Sequence, residues 1–215
     1  MSSVFSRVPP RSLPPTGGVA PREVPLGPSQ RPDDPADAAL WDVAATVCDP
    51  EIPVLTLEDL GVLRDAVAGE DETVVVITPT YSGCPAMDTM AADLEAAVTA
   101  AGYENVRVVQ VLRPAWTTDW MSAEGRAKLN EYGIAPPTGR TAAGHNSGPV
   151  RLSLAVKCPR CESLRTHEMT RFGSTSCKAL WVCDDCKEPF DYFLSLIHIS
   201  EPTRQCCTSR MPSSA

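Results

Sequence analysis

Four cysteines in the C-terminal third of the chain have the spacing of a tetrahedral sulfur site. Cys158-Pro159-Arg160-Cys161 is followed, after 21 residues, by Cys183-Asp184-Asp185-Cys186. Each pair sets two thiolates on one tight turn, and two such turns face to face suit Zn²⁺ with Zn–S bonds of about 2.3 Å. Tetrahedral geometry then predicts Sγ–Sγ separations of roughly 3.5–4 Å. The same ligand set suits a rubredoxin-like iron, so residue types leave zinc and iron open. The stretch between the pairs is slightly longer than usual for such motifs and leaves room for two ribbon strands. So small a segment cannot bury a core unaided, and metal binding then supplies folding free energy. Cys177 is a fifth sulfur, either surplus to a four-coordinate metal or an alternative ligand. His167, alone between strands, is not counted as a ligand.

A second reactive candidate is Cys84, in Ser82-Gly83-Cys84-Pro85. Pro85 suits the first position of a helix, which puts Cys84 at or beside its N-cap. There, free N–H groups and the positive end of the helix dipole stabilise a thiolate able to hold a metal or cluster or to act as a nucleophile. The alternative is a small half-buried residue in a tight loop. Asp49 and Glu51 lie among rigidifying prolines in Asp49-Pro50-Glu51-Ile52-Pro53. These carboxylates either ligate a cation or orient the Cys84 thiol, or they are solvated acids closing a helix. Cys48 continues the preceding helical pattern and is assigned to the core. Trp116-Thr117-Thr118-Asp119-Trp120-Met121 follows a strand. Its two tryptophans suit a partner contact or a lid over the core.

Elements must position these groups. Leu40, Val43, Ala44 and Val47 mark a short amphipathic helix ended by Pro50. Residues 60–67 and 73–80 read as strands around a turn at 68–71. Met87, Met90, Ala91, Leu94, Val98 and Ala101 line a helix stopped by Gly102. Residues 106–112 form a third strand. A last helix over 122–132 has Ser122 as its N-cap and Gly133 past its end. The expectation is an α+β fold: helices on a small β-sheet over 36–135, a flexible linker over 136–155, and a separately mobile ribbon over 156–193. Residues 1–35 hold nine of the 21 prolines and read as a disordered tail. Residues 194–215 look like the translation of a transposase-type sequencing adapter, so His198, Cys206 and Cys207 carry no functional weight.

Charge narrows the partners. The net charge is −8, with 17 acidic and five basic residues over 36–135 and six of each over 156–193. Phosphate recognition needs clustered Lys and Arg, so a protein partner is expected rather than nucleic acid. The longest strand-like apolar run is Val74–Ile77, far short of a membrane span. The N-terminus has arginines but no continuous apolar run, which argues against a secretory signal. A reducing, cytoplasmic setting is therefore expected, where thiols stay free or metal-bound.

DPEIPVLTLEDLGVL at 49–63 and SGCPAMDTM at 82–90 resemble the iron–sulfur assembly domain of SufT-type and cytosolic cluster-targeting proteins. With PAWTTDWMSAEGRAKLNEYGIAPP at 114–137, the CPRC turn, FGSTSCKALW at 172–181 and CKEPFDYF at 186–193, residues 38–193 resemble the PaaD family of phenylacetate degradation. That resemblance implies an accessory role in ring-1,2-epoxidation of phenylacetyl-CoA, as the D-type subunit of the epoxidase. It implies structural zinc at Cys158, Cys161, Cys183 and Cys186, and a transient iron–sulfur cluster or iron at Cys84, supported by Asp49 and Glu51. The client it implies is another epoxidase subunit, the reductase. The chain has neither the paired Glu-x-x-His motifs of a di-iron carboxylate site nor a Rossmann glycine fingerprint, so no catalytic residue is assigned. The alternatives are an electron-transfer subunit, with iron at the four cysteines, or a scaffold of the same complex.

Overall fold

The first helix begins where a capping residue lies in what composition assigns to the tail. In a computed structural model, which describes residues 24–81, 83–137 and 156–194, α1 spans Pro35–Ala44. Asp34 caps it: Oδ1 accepts from the N–H groups of Ala36 (2.9 Å) and Asp37 (3.2 Å). Pro35 follows at the first turn, where no N–H is needed. The readings placed on residues 1–23, 138–155 and 195–215 lie outside the described residues. The segment 24–31 is tied to later parts of the chain. The carbonyls of Pro25 and Gly27 accept from Arg64 Nη2 at 2.5 and 2.9 Å, and Arg31 pairs with Asp42.

α1 also ends earlier than its periodicity suggested. Thr46 Oγ1 donates to the Val43 carbonyl at 2.7 Å, and the chain then runs extended into a bridge between Cys48 and Thr56. Val47 is buried, but Cys48, expected in the core, is exposed. The reason is alternation: past Ala44 the backbone is no longer helical, and neighbouring side chains point opposite ways.

Three strands carry the larger sheet: β1 (Leu63–Ala68), β2 (Thr73–Ile77) and β3 (Val106–Gln110), in the order β1-β2-β3. β1 and β2 are antiparallel; β2 and β3 are parallel, joined by the crossover helix α2 (Ala86–Ala100). Every residue of β2 is buried, which accounts for its unbroken Val-Val-Val-Ile run. Helix α2 turns Met87, Met90, Leu94 and Val98 inward, and Gly102 follows it at φ +96°.

Helix α3 (Ala123–Tyr132) is capped by Ser122, whose Oγ accepts from the Gly125 N–H at 2.8 Å, and is followed by Gly133 at φ +92°. Asp59 ties it to the Leu-rich loop. Its carboxylate accepts from Ser122 Oγ (3.0 Å), Lys128 Nζ (2.8 Å) and the Thr56 N–H (3.2 Å). At Gly61, φ is +68° and a Cβ would lie 2.6 Å from the Trp120 carbonyl oxygen, so only glycine lets the loops approach this closely.

Trp116 and Trp120 are 3% and 6% exposed, which removes them from any partner surface. Trp116 donates Nε1–H to the Leu60 carbonyl at 2.9 Å and meets Phe193 edge-on; the Arg64 guanidinium sits 3.8 Å from the Trp120 ring centre. The buried Trp116 thus has its indole N–H satisfied from within, as buried aromatics require. The two tryptophans close the core as a lid.

The ribbon strands are β5 (Thr166–Thr170), β6 (Lys178–Cys183) and β7 (Pro189–Phe193), and they join β4 (Ile134–Ala135) in the order β4-β7-β6-β5. β4 belongs to the segment that follows α3, so one short parallel pairing joins the two parts of the chain. Phe193, 2% exposed, enters the larger domain's core. The separately mobile ribbon expected from the linker's composition is therefore corrected. Burying one aromatic side chain contributes roughly 1.5–3 kcal/mol, which linker composition cannot reveal.

Candidate metal centre and thiol cavity

The four ribbon cysteines come together as their spacing predicts. Sγ of Cys158 lies 3.8 Å from that of Cys186, and Sγ of Cys161 lies 3.5 Å from that of Cys183. All four sulfurs fall within 4.8 Å of one another. Such separations suit bonds of about 2.3 Å to one central ion.

The two turns repeat one design. Glu162 and Lys187 each donate backbone N–H to the carbonyl of the first cysteine of their turn, Cys158 and Cys183, at 3.0 Å. Cys158 and Cys183 in turn donate N–H to the carbonyls of Ser163 (2.9 Å) and Glu188 (3.1 Å). Glu162 and Lys187 adopt φ of +63° and +62° without being glycine. No residue type announces that conformation, so it was not legible in the sequence. The N–H groups of Cys186 and Asp185 aim at the Cys183 sulfur and lower its pKa to about 7. The turn thus favours a thiolate at Cys183, whereas burial and the shared hydrogen bonds of the cluster raise Cys186 and push Cys161 up to about 12. Cys158 and Cys183 are buried, Cys186 is half-buried and Cys161 is exposed, so the centre opens to solvent on one side. His167 points to Asp184, 3.2 Å away, and is no ligand.

A second cluster lies at the other end of β6. A small open cleft, with room for about one water, is lined by Asp49, Glu51, Thr80, Tyr81, Cys84 and Cys177 over an apolar floor of Ile52, Leu60 and Phe193. Cys84 is half-buried just before α2. Pro85 takes the N-cap rather than the first helical position, so α2 starts one residue later than expected and Cys84 adjoins the cap. Gly83 precedes it at φ +88°.

Asp49 shapes this cavity. Its Oδ1 accepts from the N–H groups of Glu51 (2.7 Å) and Ile52 (2.8 Å), and burial pushes its pKa up in spite of both bonds. Its neighbour Glu51 reaches further. Its Oε2 is 3.5 Å from Cys177 Sγ and accepts the thiol's hydrogen bond, while Thr175 Oγ1 lies 3.0 Å from the same sulfur. Burial, reinforced by the Glu51 charge, drives the Cys177 pKa to about 12. Burial likewise raises Tyr81 to about 12, with Cys84 contributing. The sequence pointed to Cys84, Asp49 and Glu51 but left Cys177 as a spare ribbon sulfur; Tyr81 gave no signal, because only tertiary packing brings either one here.

Two family models match the chain. One, described as an iron–sulfur cluster assembly protein, covers residues 37–111; the other, described as the PaaD zinc beta ribbon domain, covers residues 142–194. Cys84 falls in the first, and Cys177 with the four clustered cysteines in the second. The chain is 47% identical over 154 residues to a putative 1,2-phenylacetyl-CoA epoxidase subunit, of the D type, from Escherichia coli K12, covering 72% of this chain and 90% of that one. It is 37% identical over 86 residues to an Fe-S protein maturation auxiliary factor of Porphyromonas gingivalis, covering 39% of this chain and 81% of that one. A crystal structure of a domain of unknown function (DUF59) from Bacillus anthracis is 25% identical, with a TM-score of 0.40 over 43% of this chain and 90% of the other. No described helix is long and apolar enough to cross a membrane.

Proposed function

This chain belongs to the PaaD family of phenylacetyl-CoA epoxidase subunits, and from that membership we propose that it is a maturation factor of such an epoxidase. Its task is to assist insertion of iron or an iron–sulfur cluster into a partner subunit, the reductase. One observation carries this reading: Cys84, in the segment matched by the iron–sulfur assembly family, stands half-buried beside a helix N-terminus in a cavity with a carboxylate. The maturation-factor name of the Porphyromonas relative supports it.

The iron is cargo, and each residue has a part in holding it. Cys84 supplies a thiolate in an open cavity from which cargo can leave. Glu51 adds a carboxylate oxygen, and Asp49 fixes the loop that presents it through two N–H bonds. Cys158, Cys161, Cys183 and Cys186 would hold a structural zinc, whose chemistry there is cross-linking the two turns, with no redox role. The donor set fits that ion: four sulfurs lie within 4.8 Å of one another, two pairs of them at 3.5 and 3.8 Å.

Growth on phenylacetate and reductase cluster content test the reading together. Cys84→Ser is expected to abolish growth and to leave the reductase short of its cluster while the oxygenase polypeptides remain present. Normal growth with a fully loaded reductase would overturn it.

A further inference from the structure

We propose that Cys177 of the ribbon completes a metal site with Cys84 and Glu51, so that the cargo ion, ferrous iron, is held by both parts of the chain at once. The inference rests on the reading of Cys84 as an iron ligand and adds to it a second thiol from the other part of the molecule.

Cys177 and Cys84 line one cavity, and Cys177 Sγ already contacts Glu51 Oε2 at 3.5 Å. Two sulfurs and one carboxylate oxygen suit a borderline cation such as Fe²⁺ and disfavour Mg²⁺ or Ca²⁺, which seek oxygen alone. Burial, with the Glu51 charge beside it, keeps the proton on Cys177 while no cation is bound. On uptake, Fe–S bonds form to Cys84 and Cys177 and an Fe–O bond forms to Glu51, while water ligands of the aqueous ion leave to solvent. Each thiol that enters protonated releases its proton to solvent. Iron stays ferrous, so no oxidant or reductant is needed.

The site differs from the ribbon centre as cargo differs from a fixture. Among the described residues, only the four ribbon cysteines form a group of three or more donors within 4.8 Å. The cavity donors must rotate inward to bind, which weakens binding and permits release. Cys177 is itself held in place: its carbonyl accepts from the Leu194 N–H at 2.8 Å, and Thr175 flanks its sulfur. It directly precedes β6, whose far end is Cys183, roughly 20 Å along an extended strand. The resident metal therefore anchors the strand that presents the second thiol, which gives the ribbon a purpose in an assembly factor.

The test uses full-length, zinc-loaded protein titrated anaerobically with Fe²⁺, with bound iron, bound zinc and thiolate-to-iron absorption all measured. Wild type should take up one iron per chain beyond its zinc. Cys84→Ser and Cys177→Ser should each weaken iron binding by at least ~10-fold, with zinc content unchanged. Unaltered iron binding in Cys177→Ser sinks the shared site; if Cys84→Ser is impaired in the same experiment, the reading of Cys84 survives alone. No iron uptake by wild type overturns both. Because Cys177→Ser can disturb folding, alkylation of wild type read by mass spectrometry gives a second measure. Iron should protect Cys84 and Cys177 together, and protection of Cys84 only would refute the proposal.

Discussion

The larger domain and the ribbon reach order by opposite means. The domain buries Leu40, Trp41, Leu55, Leu57, Leu60, Leu94 and all of β2, so apolar area drives its folding. The ribbon's own cluster holds only Ala135, Val156, Cys158, Cys183, Phe190 and Tyr192 among its buried residues. Two of the six are cysteines of the sulfur centre, and Ala135 comes from β4 outside the ribbon. The exposed ion pairs around its turns, such as Arg165–Asp185 and Lys157–Glu162, add at most about 1 kcal/mol each. A core can therefore be spread over many residues, whereas a ribbon concentrates its stability in one centre and in one aromatic ring lent to its neighbour.

The sharpest way to break this contrast is to remove the centre. Cys183→Ser, or prolonged chelation, should unfold residues 156–193, because a structural zinc of this type contributes on the order of 10 kcal/mol. The larger domain should stay folded but lose about 3–5 kcal/mol as Phe193 leaves its core. Metal analysis with circular dichroism and denaturant melts reads both effects. A larger domain of unchanged stability would show that the two parts are independent after all.

Phe193→Ala probes the join from the other side. It should cost about 3–5 kcal/mol, seen as a shifted denaturation midpoint, while zinc content stays at the wild-type level. Loss of the metal in this variant would mean that the ribbon depends on the core, the reverse of the expected dependence.

Asp59 gives the smallest effect, confined to the larger domain. Burial opposes its ionisation, but Lys128 and the donors from Thr56 and Ser122 prevail and hold its pKa below the usual value. A lowered folded-state pKa gives stability that is present above the unfolded value of about 3.9 and is lost as pH falls through the folded one. Asp59→Asn should lower stability near neutrality by about 1–3 kcal/mol and flatten its loss below pH ~4. Equal pH profiles for variant and wild type would contradict this.

What the sequence disclosed was local. Ser122 and Gly133 bound α3 because capping depends on residues within one turn, and the Met-rich stripe of α2 repeats with the helical period. The four cysteines were legible because each turn is complete within four residues. The start of α1 was missed although Asp34-Pro35 carries the signal, because the surrounding prolines suggested a tail. Cys48 was misplaced by extending a helical period four residues past the end of α1. Trp116, Trp120, Phe193 and Cys177 depend on contacts between residues tens of positions apart, and no window along the chain contains both partners. The candidate cavity was thus half visible: Cys84 and its loop, without the thiol opposite.

Phe193 also sets a schedule for folding. β1, β2 and α2 form from residues 63–100 and nucleate through nearby contacts, whereas Trp116 waits for a ring 77 positions further along the chain. Closing so long a loop is slow. A nascent chain that lacks the ribbon's last strand also lacks this ring, which leaves its core incomplete on the side of Trp116. The ribbon turns need only their metal, and the cavity floor needs Phe193, so the metal-binding turns can be finished before the thiol cavity exists.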